Sequence, residues 1–216
     1  MFLGHFGVGF AAKKPAPQVS LGTFFLAAQW ADLLWPILLI LKLEHVTISP
    51  GNTISTPLNF DHYPYTHSLV FQLGWSLLLA IVYFALRKNI KNAIIVGLLV
   101  VSHWVLDFLV HRPDLPILPN GPFVGLGLWN NLAVTLILEC VFFFGGVFIY
   151  SKTTKPKDGI GKYALLILVI FLSVSYVMAI FGPPPPNESI LEYTGLTLWL
   201  LIPWAYWIDR HRTVNS

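Results

Sequence analysis

The sequence predicts an all-α, polytopic transmembrane bundle of about six spans with an N-terminal half-helix, a single domain over residues 1–216. Three observations predict it. Hydrophobic residues make up 56% of the chain and charged ones only 11%, less than half the roughly 25% of an ordinary soluble domain. The apolar residues fall in continuous runs close to the ~20 residues needed to cross a bilayer, with a mean hydropathy of +0.69. The breaks between runs are proline-rich or basic. This composition excludes disorder, which needs low hydrophobicity and high charge, and it excludes a globular enzyme in water. Strands are disfavoured because the runs do not alternate and lipid admits only helices or closed barrels.

Taken in chain order, residues 1–12 are apolar and are followed, not preceded, by Lys13-Lys14. That is the reverse of a secretory signal. Residues 1–14 are therefore expected to enter the bilayer as a half-helix, with Gly4, Gly7 and Gly9 permitting close backbone packing. Six spans follow at about 21–43, 67–86, 92–111, 124–150, 163–182 and 190–208. Pro50-Gly51-Asn52 follows the first, Arg87-Lys88 the second, and Pro113, Pro116 and Pro119 the third. Lysines in the stretch 152–157 follow the fourth, and prolines 183–186 the fifth. Proline stops a helix because it lacks an N–H and clashes with the preceding turn. Cys140, the one cysteine, lies inside a run and has no intrachain partner.

The basic residues alternate along the chain. Lys13, Lys14, Arg87, Lys88, Lys91, Lys152, Lys155, Lys157, Lys162, Arg210 and Arg212 fall on one side of the expected bundle. Arg112 is alone on the other, with Lys42 at a helix end where it can snorkel. By the positive-inside rule both termini are expected in the cytoplasm, in an inner (cytoplasmic) membrane. The same rule accounts for the net charge of +3 without a nucleic-acid partner. The long segment 44–66 is expected as an outer loop over a site, and Trp35, Tyr63 and Trp129 as aromatic-belt residues.

Ionisable groups inside apolar runs carry the functional signal, because a charge at bilayer depth costs a few kcal/mol and needs an interior partner. They are His5, Asp32, His67, His103, Asp107, His111 and Glu139. At about 1.5 Å rise per residue, His103 and Asp107 stand roughly 18 and 24 Å above Lys91, Asp32 roughly 16 Å above Leu21, and His5 roughly 12 Å above Lys13. His67 opens its span from the outer side. These heights converge between mid-bilayer and the outer face, which is the pattern of a metal site. Taken singly, each has a plainer explanation. His103 and Asp107, at i and i+4, could form only an ion pair. His67 could sit at the interface, and His5 could be incidental to the terminus. His111 and Glu139 are expected behind the ligands, in supporting hydrogen bonds.

His5 in its Gly-rich segment, Asp32, the element Tyr65-Thr66-His67-Ser68-Leu69 and the element Ser102-His103-Trp104-Val105-Leu106-Asp107 together resemble the YdjM-type, LexA-regulated inner-membrane metal-dependent hydrolases. The resemblance covers about the first half of the chain, to about residue 115. It implies a membrane-bound hydrolase with a metal at these residues. Two positions depart from the family: Ala31-Asp32-Leu33 carries one carboxylate where the family often has more, and Tyr65 stands where a basic residue often precedes Thr-His-Ser.

Neutral imidazoles and carboxylates suit Zn²⁺, with Mn²⁺, Fe²⁺ or Ni²⁺ as competitors. His67, His103 and Asp107 are the expected ligands. His5 and Asp32 are either further ligands or, for Asp32, the general base. A site in the outer half of the bilayer favours a lipid-like ester or phosphoester entering from the outer leaflet, with Arg112 and Asn130 as candidate headgroup contacts. Two other functions fit the same residues: a proton- or divalent-metal-linked transporter, and a structural protein whose polar groups lock helices together.

Overall fold

The computed structural model describes residues 1–215 and is mostly helical. Its helices are α1 (Leu3–Ala11), α2 (Leu21–Ala28), α3 (Trp30–Ile40), the single turn α4 (Pro64–His67), α5 (Leu69–Arg87), α6 (Ile90–Val110), α7 (Leu132–Thr153), α8 (Gly159–Phe181), α9 (Glu188–Leu196) and α10 (Leu201–Arg210). Three two-stranded antiparallel pairs stand at the ends: β1 (His45–Ile48) with β2 (Leu58–His62), β3 (Leu115–Pro116) with β4 (Phe123–Val124), and β5 (Thr154–Pro156) with β6 (Arg212–Val214).

Four helices, α5 to α8, are long and apolar enough to cross a membrane, and α2 with α3 make a fifth only as a pair bent by 55°. The 190–208 run is not one helix. It divides into α9, a 3₁₀ turn at Thr197–Leu200 and α10; Glu192 lies within it, and Glu188, Asp209 and Arg210 flank it. Pro203 explains the restart, since it has no N–H to return to Trp199 and is tolerated only in a first turn. Lys42 Nζ reaches Glu192 Oε1 at 2.8 Å and ties α9 to the end of α3.

The long helices begin where a short polar side chain can accept from a free backbone N–H. Ser68 accepts from Phe71, Asn89 from Asn92, Asn131 from Val134 and Asp158 from Gly161. Their outer faces are apolar and exposed, with Leu77 on α5, Leu98 on α6, Val141 on α7 and Ile170 on α8 among many. A monomer in water rarely exposes so much apolar surface.

Helix α1 is the exception, because protein surrounds it. Its Leu3, Phe6 and Phe10 are buried with Phe25, Phe143, Tyr150 and Leu172 in the principal core. It packs chiefly on α7, and there the backbones nearly touch: a Cβ on Gly7 would lie 2.3 Å from the Phe142 carbonyl oxygen, and one on Gly146 2.0 Å from that of Gly7. At the far end Lys13 Nζ donates to Asp209 Oδ2 (2.7 Å) and to the Val19 carbonyl (2.9 Å), while Tyr150 OH donates to Asp209 Oδ1 (2.8 Å). The half-helix is thus fixed along its length, and His5 with it.

Segment 44–66, expected as an outer loop over the site, is a β-hairpin followed by α4. Val46 pairs with Phe60, and Ile48 with Leu58. The hairpin lays Phe60 across Trp35, Tyr63, His111 and Trp129, with ring centroids 4.8–5.9 Å apart. Those aromatics roof a cavity in the interior, and Tyr63 is only 2% exposed.

Candidate metal centre

His103 and Asp107 lie one turn apart on α6 and face inward, both buried. The bend between α2 and α3 leaves the Ala28 carbonyl at a helix end, where carbonyls lack intrahelical partners. His103 Nδ1–H donates to it at 2.8 Å. That bond fixes the tautomer and points the Nε2 lone pair at the cluster. His67 ends α4, and the extended backbone of Ser68 (φ −73°, ψ 145°) separates that turn from α5. Its Nδ1–H donates to Thr66 Oγ1 at 2.7 Å, and that hydroxyl donates to Glu44 Oε2 at 2.6 Å. Thr66 N–H reaches Glu44 Oε1 at 2.9 Å. Nε2 of His67 is thereby freed toward the same point.

Two carboxylates complete the ring. Asp32 Oδ1 lies 3.5 Å from His67 Nε2 and 3.6 Å from His103 Nε2. Asp107 Oδ2 lies 3.1 Å from His103 Nε2 and 3.9 Å from His67 Nε2. His103 Nε2 makes no aligned hydrogen bond despite these short distances. A tetrahedral ion with ligands at about 2.1 Å would hold donor atoms roughly 3.4 Å apart. Carboxylate oxygens from two separate stretches of chain therefore approach His103 Nε2 at 3.1–3.6 Å, close to ligand spacing, and imidazole nitrogens with carboxylate oxygens suit Zn²⁺, Mn²⁺, Fe²⁺ or Ni²⁺.

All five sequence-predicted ligands come together, in two overlapping groups: His5, His103 and Asp107, and Asp32, His67 and His103. Within each, the donor atoms lie within 4.8 Å of one another. His5 stacks on His103 with centroids 3.7 Å apart, and its Nε2–H donates to Asp107 Oδ1 at 3.1 Å. The Met1 amino nitrogen meets the same Oδ1, which leaves Oδ2 to the two ring nitrogens. Through that bond His5 orients Asp107; ligation by Nε2 is the alternative role, with the proton lost. Asp32 differs from the rest: its side chain is 25% exposed against 1–5% for the other four.

Asp32, His67 and Asp107 line a cavity of about 180 Å³ under the aromatic roof. His111 and Glu139 line it too. His111 caps α6 and bonds Asp114 Oδ1 (3.0 Å) through Nδ1. Glu139 accepts from the backbone N–H of Phe2 (2.8 Å) and Gly4 (2.7 Å), satisfying the free donors at the start of α1, where a negative charge also suits the helix dipole.

Arg112 and Asn130 are placed away from this cavity. The Arg112 guanidinium is held by Asp114 Oδ2 (3.2 Å), Asn59 Oδ1 (2.8 Å) and Asn52, and so ties the hairpin to the end of α6. Asn130 is exposed on a 3₁₀ turn, Leu128–Asn130. Gly125 (φ +154°) makes that approach possible, because a Cβ there would strike the Arg112 carbonyl oxygen at 2.1 Å.

The sequence did not point to Glu44, and it gave Thr66 only as part of the Thr-His-Ser element. Glu44 follows Lys42 at the end of a run and looks like a loop charge. The only signal was Thr66 itself, directly before His67. Burial holds the Glu44 carboxyl above the usual carboxylate range, against the two hydrogen bonds from Thr66. Burial, with Asp114 nearby, raises the Tyr63 phenol well above its usual range and keeps it a donor, to the Asp114 carbonyl at 3.1 Å.

Fold and site together define a mostly helical protein, apolar outside, with a buried His/Asp cluster able to hold a metal ion. No family model, curated protein or solved structure matches the chain.

Proposed function

We propose that the chain is an integral-membrane, metal-dependent hydrolase of the YdjM type, acting on an ester or phosphoester of a lipid-like molecule at the outer leaflet of an inner membrane. The spans are α5 to α8, the bent α2–α3 pair and the broken α9–α10 path, about six crossings with both termini cytoplasmic. One observation carries the reading: His67, His103 and Asp107 bring donor atoms together beside one cavity, and Asp32, the most exposed of the cluster, stands against the two imidazoles at 3.5–3.6 Å.

The residues divide by position. His67, His103 and Asp107 hold the ion, with Thr66, Ala28 and His5 orienting them. A divalent metal held there, Zn²⁺ by preference, would supply Lewis acidity and activate water. Asp32 takes the proton from the attacking water and returns it to the leaving oxygen. The Trp35, Phe60 and Trp129 roof keeps bulk water from the cluster. Transport is less well supported, since both Glu139 oxygens are taken by the α1 backbone. Beyond it the interior closes with Phe10, Phe143 and Tyr150.

The test is elemental analysis of purified protein alongside headgroup release from a lipid panel. Wild type should hold stoichiometric metal, and His103→Ala should lose it without unfolding. Asp32→Asn should keep metal and lose about 10²–10⁴-fold in turnover. Full metal in His103→Ala, or unimpaired turnover in Asp32→Asn, overturns the assignment.

A further inference from the structure

A second cavity, about 610 Å³, opens between α3, α8 and the α9–α10 stretch. Its walls are almost wholly apolar, with Trp35, Pro36, Phe171, Leu172, Leu198 and Trp204 as the main surfaces. It is not separate from the cavity over the metal cluster. Phe2, Asp32, Trp35 and Ala179 line both, and Asp32 is the single carboxylate among them. A greasy groove therefore ends at the one exposed member of the His/Asp ring.

Two unpartnered donors lie close to the shared lining. Tyr176 lines the smaller cavity, and its OH is buried with no hydrogen-bond partner, the residue being only 5% exposed. Trp35 Nε1 is likewise buried and unpartnered where the two cavities meet. Buried donors are normally satisfied, and leaving one unmade costs about 1–3 kcal/mol. Each is satisfied if a ligand brings an acceptor oxygen to the junction. At the groove's other end Phe171 and Leu200 are exposed at the rim, on the same apolar exterior as the rest of α8.

Resting on the hydrolase reading above, we infer that the substrate is an amphiphile held by a long alkyl chain in this groove, its ester or phosphoester oxygens meeting Tyr176 and Trp35 and its scissile bond at Asp32. The groove has room for a long alkyl chain. The volume also lies within the ~300–1,000 Å³ of small-molecule sites. Entry is lateral, from the hydrocarbon, so the chain need not leave an apolar environment to reach the site.

The test measures binding apart from turnover. Purified protein is photolabelled with palmitoyl lysophosphatidylcholine carrying a diazirine near the chain end, and the adducts are mapped by mass spectrometry. Labels should concentrate on α8 and on the Thr197–Leu200 turn, and unlabelled palmitoyl lipid should compete for them where a hexanoyl analogue does not. Ser175→Phe, which fills the groove a turn from Ala179, should cut this labelling about tenfold or more with metal content unchanged. Ala179→Phe serves if that variant does not fold. Labels spread over the exposed faces of α5 and α7, equal in variant and wild type, overturn the groove. Groove labelling in a protein that cleaves none of the lipids keeps the groove and removes the hydrolase. Cleavage that ignores chain length, with no groove label, does the reverse.

Discussion

His67 owes its orientation to a neighbour that no metal touches. Its Nδ1–H is held by Thr66, and Thr66 by Glu44, so the carboxylate acts on the ring through one hydroxyl. A ligand histidine whose far nitrogen is fixed this way binds more tightly, and loss of such a partner typically costs about 10–100-fold in metal affinity. Thr66→Val removes the hydroxyl and little volume. It should weaken metal binding by about that factor, measured by competition with a chromophoric chelator, whereas Thr66→Ser should keep near-native affinity. Equal affinity in Thr66→Val and wild type would show that the chain of hydrogen bonds does not act on the ligand. Glu44 was illegible in the sequence for a physical reason: a carboxylate next to a turn is usually solvated, and only the fold of the hairpin takes it out of water. The five ring residues were legible because each is expensive inside an apolar run.

Among elements, α1 shows what the sequence could and could not convey. Its glycines were readable as a close-packing surface, but the partner was not, since nothing in residues 1–14 names α7. The contact is backbone to backbone at Gly7 and Gly146, so added side-chain volume has nowhere to go. Gly146→Val should cost about 3 kcal/mol and loosen His5. Gly145→Val, one residue away with nothing within 4 Å of its Cβ position, should be silent. Thermal melts in detergent, with metal content read in parallel, separate the two. If both variants melt alike, the close approach is not what seats α1. The helix starts were equally legible, since Ser68, Asn89, Asn131 and Asp158 each precede an apolar run. Asp158 adds a pH handle. Its hydrogen bond from His211, with those from the α8 backbone, holds the carboxyl below its usual 3.8. A depressed carboxylate contributes stability above its unfolded pKa and loses it as pH falls through the folded value. NMR titration should therefore find Asp158 below 3.8, and His211→Ala should move it up toward that value. No movement would mean the backbone cap alone sets it.

At the scale of the whole molecule, two ends with different chemistry follow from one alternation in the sequence. Lys13 meets Asp209, and β5 pairs with β6 beside Arg212, so the basic connections gather at one end. The β1–β2 hairpin, the Leu115–Val124 strand pair and the aromatic roof gather at the other, over the His/Asp ring. The alternation was readable because loop charge is a local count. The broken path through α9 and α10 was not, because hydropathy averages over Gly195 and Pro203 and cannot see a run divide. Orientation then decides which compartment the ring faces and, on the proposed hydrolase reading, the leaflet that would supply substrate. Cys140 is the one cysteine, so a Cys140→Ala background gives clean reporters. In intact cells a membrane-impermeant maleimide should label Thr56→Cys, in the hairpin, and leave Lys155→Cys, in β5, untouched until the cells are opened. This is the outcome expected if the lysine-rich end follows the positive-inside rule. The opposite labelling would turn the ring toward the cytoplasm, and the lipid it meets would come from the inner leaflet.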